Sequence, residues 1–436
     1  VLDIQFIRDN PELVAEKSKQ KGYAVNVQQL LTLDTERRTR VTQIEELRRR
    51  RNEQAAALKS GGQPTPEQIT LGKQLKEELA QLETDLRAID DAYEPLLRSV
   101  PNMPLDDVPV GETEDENVVA KEVGAPTEFD FEPKHDYQLN NGDWIDKERA
   151  AKIAGSRFAY LKGGLVRLQF AIVQFVMDTV GDEAVLQKLI DENNLNLSAK
   201  PFTPVLPPAV LRTEPYVASA RLNAEEVTYR LEQDDLWLNA SAEHTLCTMY
   251  WNEVLPESEF PIRYIGYSTS FRREAGTYGK DMEGIFRMHQ FDKLEMETFS
   301  NAETGLDEHY LMVAIQEHLM QQLELPYRVI QKCTADIGKP NARGVDIDCW
   351  FPGQGKYRET HTADYMTDYQ TRDLKVRVKR QGGEKDGVVE LAHTNDATAF
   401  ALGRIMKAVL ENYQNADGSV RVPAVLQPYM GGKQQI

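Results

Sequence analysis

Seven apolar residues in the first hundred positions recur at intervals of four and three: Leu75, Leu79, Leu82, Leu86, Ile89, Tyr93 and Leu96. No other feature restricts the fold so tightly. A repeat averaging ~3.5 residues keeps one stripe of a helix in register with a partner and winds the pair left-handed. The partner lies upstream, where Val41, Ile44, Leu47 and Leu58 form a rougher seam. The intervening "KSGGQPTPEQ" carries Gly61, Gly62, Pro64 and Pro66, which break a helix and permit reversal. The expectation for about 27–97 is an antiparallel α-helical coiled-coil hairpin. A helix of ~30 residues extends ~45 Å, so the hairpin is expected to project from a globular body.

The first of these helices carries Arg37, Arg38 and Arg40, then Arg48, Arg49, Arg50 and Arg51. A solvated helix face would explain such a stripe. The chain as a whole has a formal net charge of −19, so a basic stripe on a projecting element also reads as a phosphate-backbone contact. Three cysteines, Cys247, Cys333 and Cys349, are scattered without a CxxC, and the seven histidines add no ligand-spaced cluster. That pattern argues against a disulfide framework or a zinc site and fits a reducing compartment. The polar start "VLDIQFIRDNPELV" does not read as a signal or transit peptide. The apolar run "GLVRLQFAIVQFVMDTV" is interrupted by Arg167 and Gln169 and is too mixed to span a bilayer. A cytoplasmic protein with no membrane segment is expected.

"SVPNMPLDDVPVGETEDEN" is rich in proline and acid and reads as a linker. The domain expectation is therefore 1–105 for the hairpin domain, 106–135 for the linker and 136–436 for an α+β domain. In that last part "GLVRLQFAIVQFVMDTV" and "TAFALGRIMKAVLENYQ" read as helices, the second with Leu402, Ile405, Met406, Val409 and Tyr413 available for burial. "EFPIRYIGYSTSFRRE", "GVDIDCWFP" and "LKVRVKR" read as strands. Few βαβ spacings occur, so an antiparallel sheet flanked by helices is expected. Neither GxxxxGK[ST] nor GxGxxG after a strand is present, so a nucleotide would not be held by a P-loop or a Rossmann turn.

"FRREAGTYGKDMEGIFRMHQFDKLEM" concentrates the chemistry. If the strand continues, Arg272 and Glu274 share one face and Phe271 and Arg273 the other. Gly276, Gly279 and Gly284 then allow a mobile loop that approaches a ligand closely. On the return strand Arg287, His289, Phe291, Lys293 and Glu295 share a face. Arginine forks match phosphate oxygens and a glutamate accepts from an exocyclic amine, so the surface suits a polyphosphate beside a purine. An exposed hairpin with cross-strand ion pairs explains the same residues.

This segment resembles the second signature motif of class II aminoacyl-tRNA synthetases, in the form of the seryl-tRNA synthetase family of bacterial type. "TAFALGRIMKAVLENYQNADGSVRVPAVLQPYMGG" is similar to its third motif and tail, and "PVLPPAVL", with Pro208, to its first. The N-terminal hairpin matches as well, so the resemblance covers nearly the whole chain. It implies activation of L-serine by ATP, transfer of the seryl group to tRNA(Ser), a homodimer, and Mg2+ as the metal. It also implies service to a selenocysteine tRNA where one exists, and a hairpin that grips the variable arm of tRNA(Ser) through the arginines at 37, 38, 40 and 48–51.

For ATP the resemblance implies Arg272 on the α-phosphate, Glu274 on adenine, Arg273 between them, Met288 as an apolar contact and Arg404 on the γ-phosphate. "YRETHTADYMTDYQ" supplies Glu359, Thr360, His361 and Thr362 as the ATP-contacting segment, with Glu359 and Thr362 toward magnesium. Apart from the resemblance, Glu359 is a glutamate in a strand. For serine, "NASAEHTL" aligns Ser241, Ala242 and Glu243, joined by Arg272, Glu295 and Thr398. Ser241 stands where threonine is usual, Asp396 where asparagine is usual, and Asp373 where a second arginine often follows. Two relatives with other functions compete: a homologue that loads an amino acid onto a carrier protein, which lacks the hairpin, and a non-catalytic paralogue, which would lose Arg272, Glu295, Glu359 or Arg404. This chain has all five features.

Overall fold

The computed structural model describes every residue except 61–64, 223–226, 275–280 and 282, and the backbone alone at 57–60. Two compact units divide after Met103: Val1–Met103 and Pro104–Ile436.

The first unit is built on two helices of 34 residues, α1 (Val27–Ser60) and α2 (Pro66–Ser99). The start of α2 is written into its sequence. Thr65 accepts from the Gln68 N–H, the Gln68 side chain accepts from the Thr65 N–H, and Pro66 takes the first turn, where its missing N–H costs nothing. Leu75 and Leu79 are buried against Ile44 and Leu47, with Leu82 and Leu86 packed beside them. Contacts run in descending order, Arg37 to Asp90, Arg48 to Glu83 and Gln54 to Gln68, so the pair is antiparallel as the seam requires. Gly61, Gly62 and Pro64, expected at the reversal, and the Leu58 side chain lie outside the described residues.

The second unit carries an eight-stranded sheet: β1 (Val118–Val123), β2 (Thr203–Val205), β3 (Ile262–Phe271), β4 (Gln290–Ser300), β5 (Tyr327–Gln331), β6 (Arg343–Phe351), β7 (Lys356–Thr367) and β8 (His393–Ala401). Their order across the sheet is β1-β5-β6-β7-β8-β4-β3-β2. All neighbours are antiparallel except the edge pair β2–β3. Three helices, α3 (Gly164–Val180), α4 (Gly305–Gln322) and α5 (Leu402–Asn412), join the sheet in one apolar core. No single described helix is long and apolar enough to cross a membrane. The bent pair of α3 and the helix Glu183–Glu192 passes that test by length and composition only, and the buried side of α3 belongs to the core.

Three expectations change. The segment 106–135 is not only a linker, because β1 pairs with β5 at the sheet edge. "TAFA" does not begin the last helix: residues 398–401 end β8, and α5 starts at Leu402. The period of burial changes there from two to 3.6, so one apolar run serves two elements. The helix still buries Leu402, Ile405, Met406 and Val409, with Tyr413 half-buried just beyond its end. "LKVRVKR" yields only the short strand Arg377–Lys379, in a separate three-stranded sheet.

Candidate active site

Strand alternation gives β4 two unlike faces. Leu294 and Met296 enter the core, so Lys293, Glu295 and Glu297 must face away from it. On β8 the same rule sends Ala397 and Ala399 inward and Asp396 and Thr398 outward. In the register Glu295 lies opposite Thr398 and Glu297 opposite Asp396. A bulge at Ala399, between the pairs Leu294–Phe400 and Glu295–Thr398, returns Phe400 to the core and brings Ala401 to the cleft.

A second bulge decides β7. Glu359 pairs with Asp348 and His361 with Ile347, which leaves Thr360 extra. In a regular strand Glu359 and Thr362, three apart, would face opposite ways. The bulge lets both line one cleft, together with Arg272, Glu274, Phe286, Met288, Thr398 and Arg404. His361 is turned inward instead, its ring 5.2 Å from that of Phe400. Burial pushes its pKa down to about 3, so it is neutral.

Arg404, in the first turn of α5, donates to the Glu359 carbonyl at 3.0 Å and to its carboxylate at 2.8 Å. Desolvation opposes the Glu359 charge, but Arg404 and Lys332 outweigh it and hold the carboxyl below its ordinary range. Gly403 is required beside them, since a Cβ there would stand 2.6 Å from the Ile285 carbonyl oxygen. The Arg272 Nε donates to the Ala240 carbonyl at 3.0 Å, and its guanidinium lies 5.3 Å from the Phe291 ring. Strand β3 ends at Phe271, one residue before Arg272, and Glu274 takes φ +53°. The expected alternation therefore stops early, yet Arg272 and Glu274 still share the cleft. Glu274 accepts from Arg287 at 2.7 Å. Arg273 does not line the cleft; its guanidinium lies 5.8 Å from the Tyr229 ring. Arg287 and His289 precede β4 rather than belonging to it. Gly276 and Gly279, expected in the loop, lie outside the described residues.

Deeper on the same face, Lys293 donates to Ser241 Oγ at 3.0 Å and contacts Glu295. The Ser241 hydroxyl is 3.4 Å from Glu295. Burial pushes Glu295 up to about 7 against the pull of Lys293. Ala242 is fully buried and packs by its Cβ toward Gly266. Glu243 lies 3.0 Å from Arg221 and 3.3 Å from His244 Nε2. The Ala240 N–H can only donate, and it meets His244 Nδ1, so Nδ1 accepts and the proton sits on Nε2, toward Glu243. Burial raises Glu243, but Arg221 and His244 more than reverse this and hold it well below the carboxylate range.

Sequence reasoning missed Phe286, Arg221 and His244. Phe286 is the one with a local signal, an aromatic ring within "EGIFRMHQF"; Arg358 and Arg404 lie 4.2 and 4.8 Å from it. Arg221 is remote in sequence from the acids that its side chain meets. The oxygen donors Glu359 and Thr362 on one cleft wall fit a hard cation such as Mg2+, which prefers oxygen.

The basic stripe of α1 is largely neutralised within its own unit. Arg37 pairs with Asp90, Arg38 with Asp34, Arg40 with Asp85, Arg48 with Glu83, and Arg49 with Glu46 and Glu53. Among the described residues, Arg50 and Arg51 form no ion pair and are exposed.

Residues 1–104 match the family described as the seryl-tRNA synthetase N-terminal domain, and residues 227–413 match the tRNA synthetase class II core domain (G, H, P, S and T). The chain is 37% identical to a serine–tRNA ligase of Thermodesulfovibrio yellowstonii, covering 99% of both chains. It is 38% identical to one of Deinococcus radiodurans, covering 100% of this chain and 98% of that protein. Its structure is similar to that of seryl-tRNA synthetase from Pyrococcus horikoshii complexed with ATP, with a TM-score of 0.85, 35% identity, and coverage of 100% of this chain and 99% of that one.

Proposed function

This chain belongs to the seryl-tRNA synthetases of class II, the serine–tRNA ligases, and on that premise we propose how its residues divide the reaction. Serine is activated by ATP to the adenylate, and the seryl group then passes to tRNA. The serine carboxylate attacks the α-phosphate and pyrophosphate leaves, so no protein nucleophile is called for. The protein's part is to hold two reactants in line and to meet the growing phosphate charge with fixed donors.

Arg272 meets the α-phosphate. Its Nε is engaged by the Ala240 carbonyl, which leaves the terminal nitrogens, the phosphate-matching fork, to the cleft. Glu274 accepts from the adenine amine, Phe286 offers a flat apolar surface for the base, and Met288 adds an apolar contact. Arg404 meets the γ-phosphate. Glu359 and Thr362 would hold Mg2+, which supplies further neutralisation of phosphate charge when bound. Ser241, Glu243 and Glu295 receive the serine ammonium and Thr398 its hydroxyl.

One observation carries this reading: Arg272, Glu359, Thr398 and Arg404, from four different segments, line a single cleft. The tRNA partner is held by the α1–α2 hairpin. A homodimer is supported by the open sheet edge at β2, where Leu206 just beyond is 78% exposed. Three free, buried cysteines fit a reducing, cytoplasmic compartment. Serine-dependent ATP–pyrophosphate exchange tests the assignment. Losing one preorganised donor to a transferring group typically lowers rate ~10²–10³-fold, so Arg272→Ala is expected to fall by that much. Exchange by Arg272→Ala within about tenfold of the parent chain would remove Arg272 from this role.

A further inference from the structure

The serine side of the cleft holds more carboxylates than two nearby cations can balance. Glu243, Glu295 and Asp396 each bring an oxygen within 4.8 Å of the others, and all three are buried. Like charges at such spacing cannot all ionise in a dry site, so the surroundings must select which of them present charge to a ligand. Arg221 makes contact with two of the three. Its Nη2 donates to Asp396 Oδ2, its Nε lies 3.0 Å from Glu243 Oε1, and the Asp364 carboxylate is 4.0 Å away. The residues that line the ATP cleft do not include Arg221.

We propose that Arg221 is a positioning residue for amino-acid binding: anchored by an acceptor oxygen of Asp396, it fixes Glu243 as a carboxylate that receives the substrate ammonium beside Glu295. This rests on the reading of 241–243 as the serine-binding segment. A planar guanidinium reaches both neighbours at once, whereas an ammonium presents a single point. What Arg221 takes from Asp396 is an acceptor oxygen, which an amide offers equally. Burial pushes Asp396 well above the carboxylate range, in keeping with an amide-like part.

The test uses the full chain and serine-dependent ATP–pyrophosphate exchange. Arg221→Gln is expected to raise the KM for serine at least about tenfold while the KM for ATP stays within about twofold. Asp396→Leu should do the same, because Arg221 loses its anchor, and Asp396→Asn, which keeps the acceptor, should remain within about threefold of the parent chain. Combining Arg221→Gln with Asp396→Leu should be no worse than the more damaged single variant, since both act through Glu243. Arg221→Lys, which retains the charge, should fall between, and it decides the matter if Arg221→Gln fails to fold. Equal rises in both KM values, fully multiplicative effects in the double variant, or Asp396→Asn as damaged as Asp396→Leu would overturn the proposal. A parent chain whose exchange does not saturate with serine would instead overturn the reading of the site.

Discussion

Arg404 and Glu359 are joined twice, through the Glu359 carbonyl and through its carboxylate. The first turn of α5 is thereby tied to the bulged stretch of β7, and the guanidinium proposed to meet phosphate is pre-set by the carboxylate proposed to meet metal.

Removing the guanidinium should therefore do two things at once. Arg404→Ala is expected to raise the KM for ATP about tenfold or more, as befits removal of a charge-assisted hydrogen bond of ~1.5–3 kcal/mol, while the KM for serine changes little. Because Glu359 loses its partner in the same step, adding Glu359→Gln to Arg404→Ala should cost less than the product of the single effects. Steady-state exchange kinetics on the four chains check both statements; simple multiplication would show that the pair does not act together.

Glu295 predicts a pH dependence. Its folded pKa of about 7 lies above the ordinary glutamate value of 4.5, so the folded chain holds a proton that the unfolded chain releases between those values. Its contribution to stability is fully present below about 4.5 and is lost as pH rises through about 7. On the proposed reading serine binding runs the other way, because Glu295, beside Ser241 and Lys293, joins Glu243 in receiving the ammonium only when it is ionised. The kcat/KM for serine is expected to climb with pH up to about 7 and then level, with a slope of at most about tenfold per unit. Glu295→Gln should flatten that limb as well as lower activity. A profile in the parent chain that is flat from about pH 5.5 to 8 would refute the assignment.

Thr398 stands opposite Glu295 on the neighbouring strand, beside the carboxylate proposed to meet the amino acid, and its hydroxyl is the one proposed to read the side chain. A site built to bond a hydroxyl rejects the analogue lacking it by up to ~10⁴-fold. Thr398→Ala should narrow the serine-over-alanine preference in kcat/KM more than it raises the KM for ATP. Equal losses for both amino acids would place the hydroxyl reading elsewhere.

Within the hairpin, the arginines should not contribute equally to tRNA affinity. An arginine already paired to a carboxylate must give up that partner to meet a phosphate, whereas Arg50 and Arg51 have no such pair to break among the described residues. Replacing both by Gln should weaken tRNA binding and lower the salt slope by ~1 for each phosphate no longer neutralised. The same change at Arg37 and Arg40 should matter less, and serine activation should be unaffected by either. Filter binding across a salt series measures this; identical slopes for the Arg50/Arg51 variant and the parent would exclude those residues.

Stability offers a separate check. Arg263 donates from two nitrogens to Glu308 at 2.9 and 2.7 Å, and both side chains are completely buried. Arg263→Met leaves a buried carboxylate unpaired and is expected to cost about 3–5 kcal/mol, whereas Arg263→Met with Glu308→Leu should recover only the part due to that carboxylate, because the Ser198 and Lys200 carbonyls also lose the Arg263 Nη1. Urea unfolding of the three chains distinguishes these outcomes.

Much of the site was legible because regular periods are local. The four-three repeat of α2 specified its own helix and the need for a partner, and the alternation of β4 put Lys293 and Glu295 on one face. The helical spacing after Leu402 oriented α5 and with it Arg404. The resemblance then joined Glu359 to Thr362, an odd spacing that no regular strand brings to one side. Only the tertiary structure resolves this, through the bulge at Thr360, which depends on how β7 registers against β6. The end of β3 at Phe271, the bulge at Ala399, and the convergence of Arg221 on Glu243 and Asp396 belong to the same class. So does the neutralising of Arg37, Arg40 and Arg48 by acids of α2. Each is set by a partner tens or hundreds of positions away. A periodicity reports which way a residue faces along its own element, but the charge it meets there is fixed only when the elements pack.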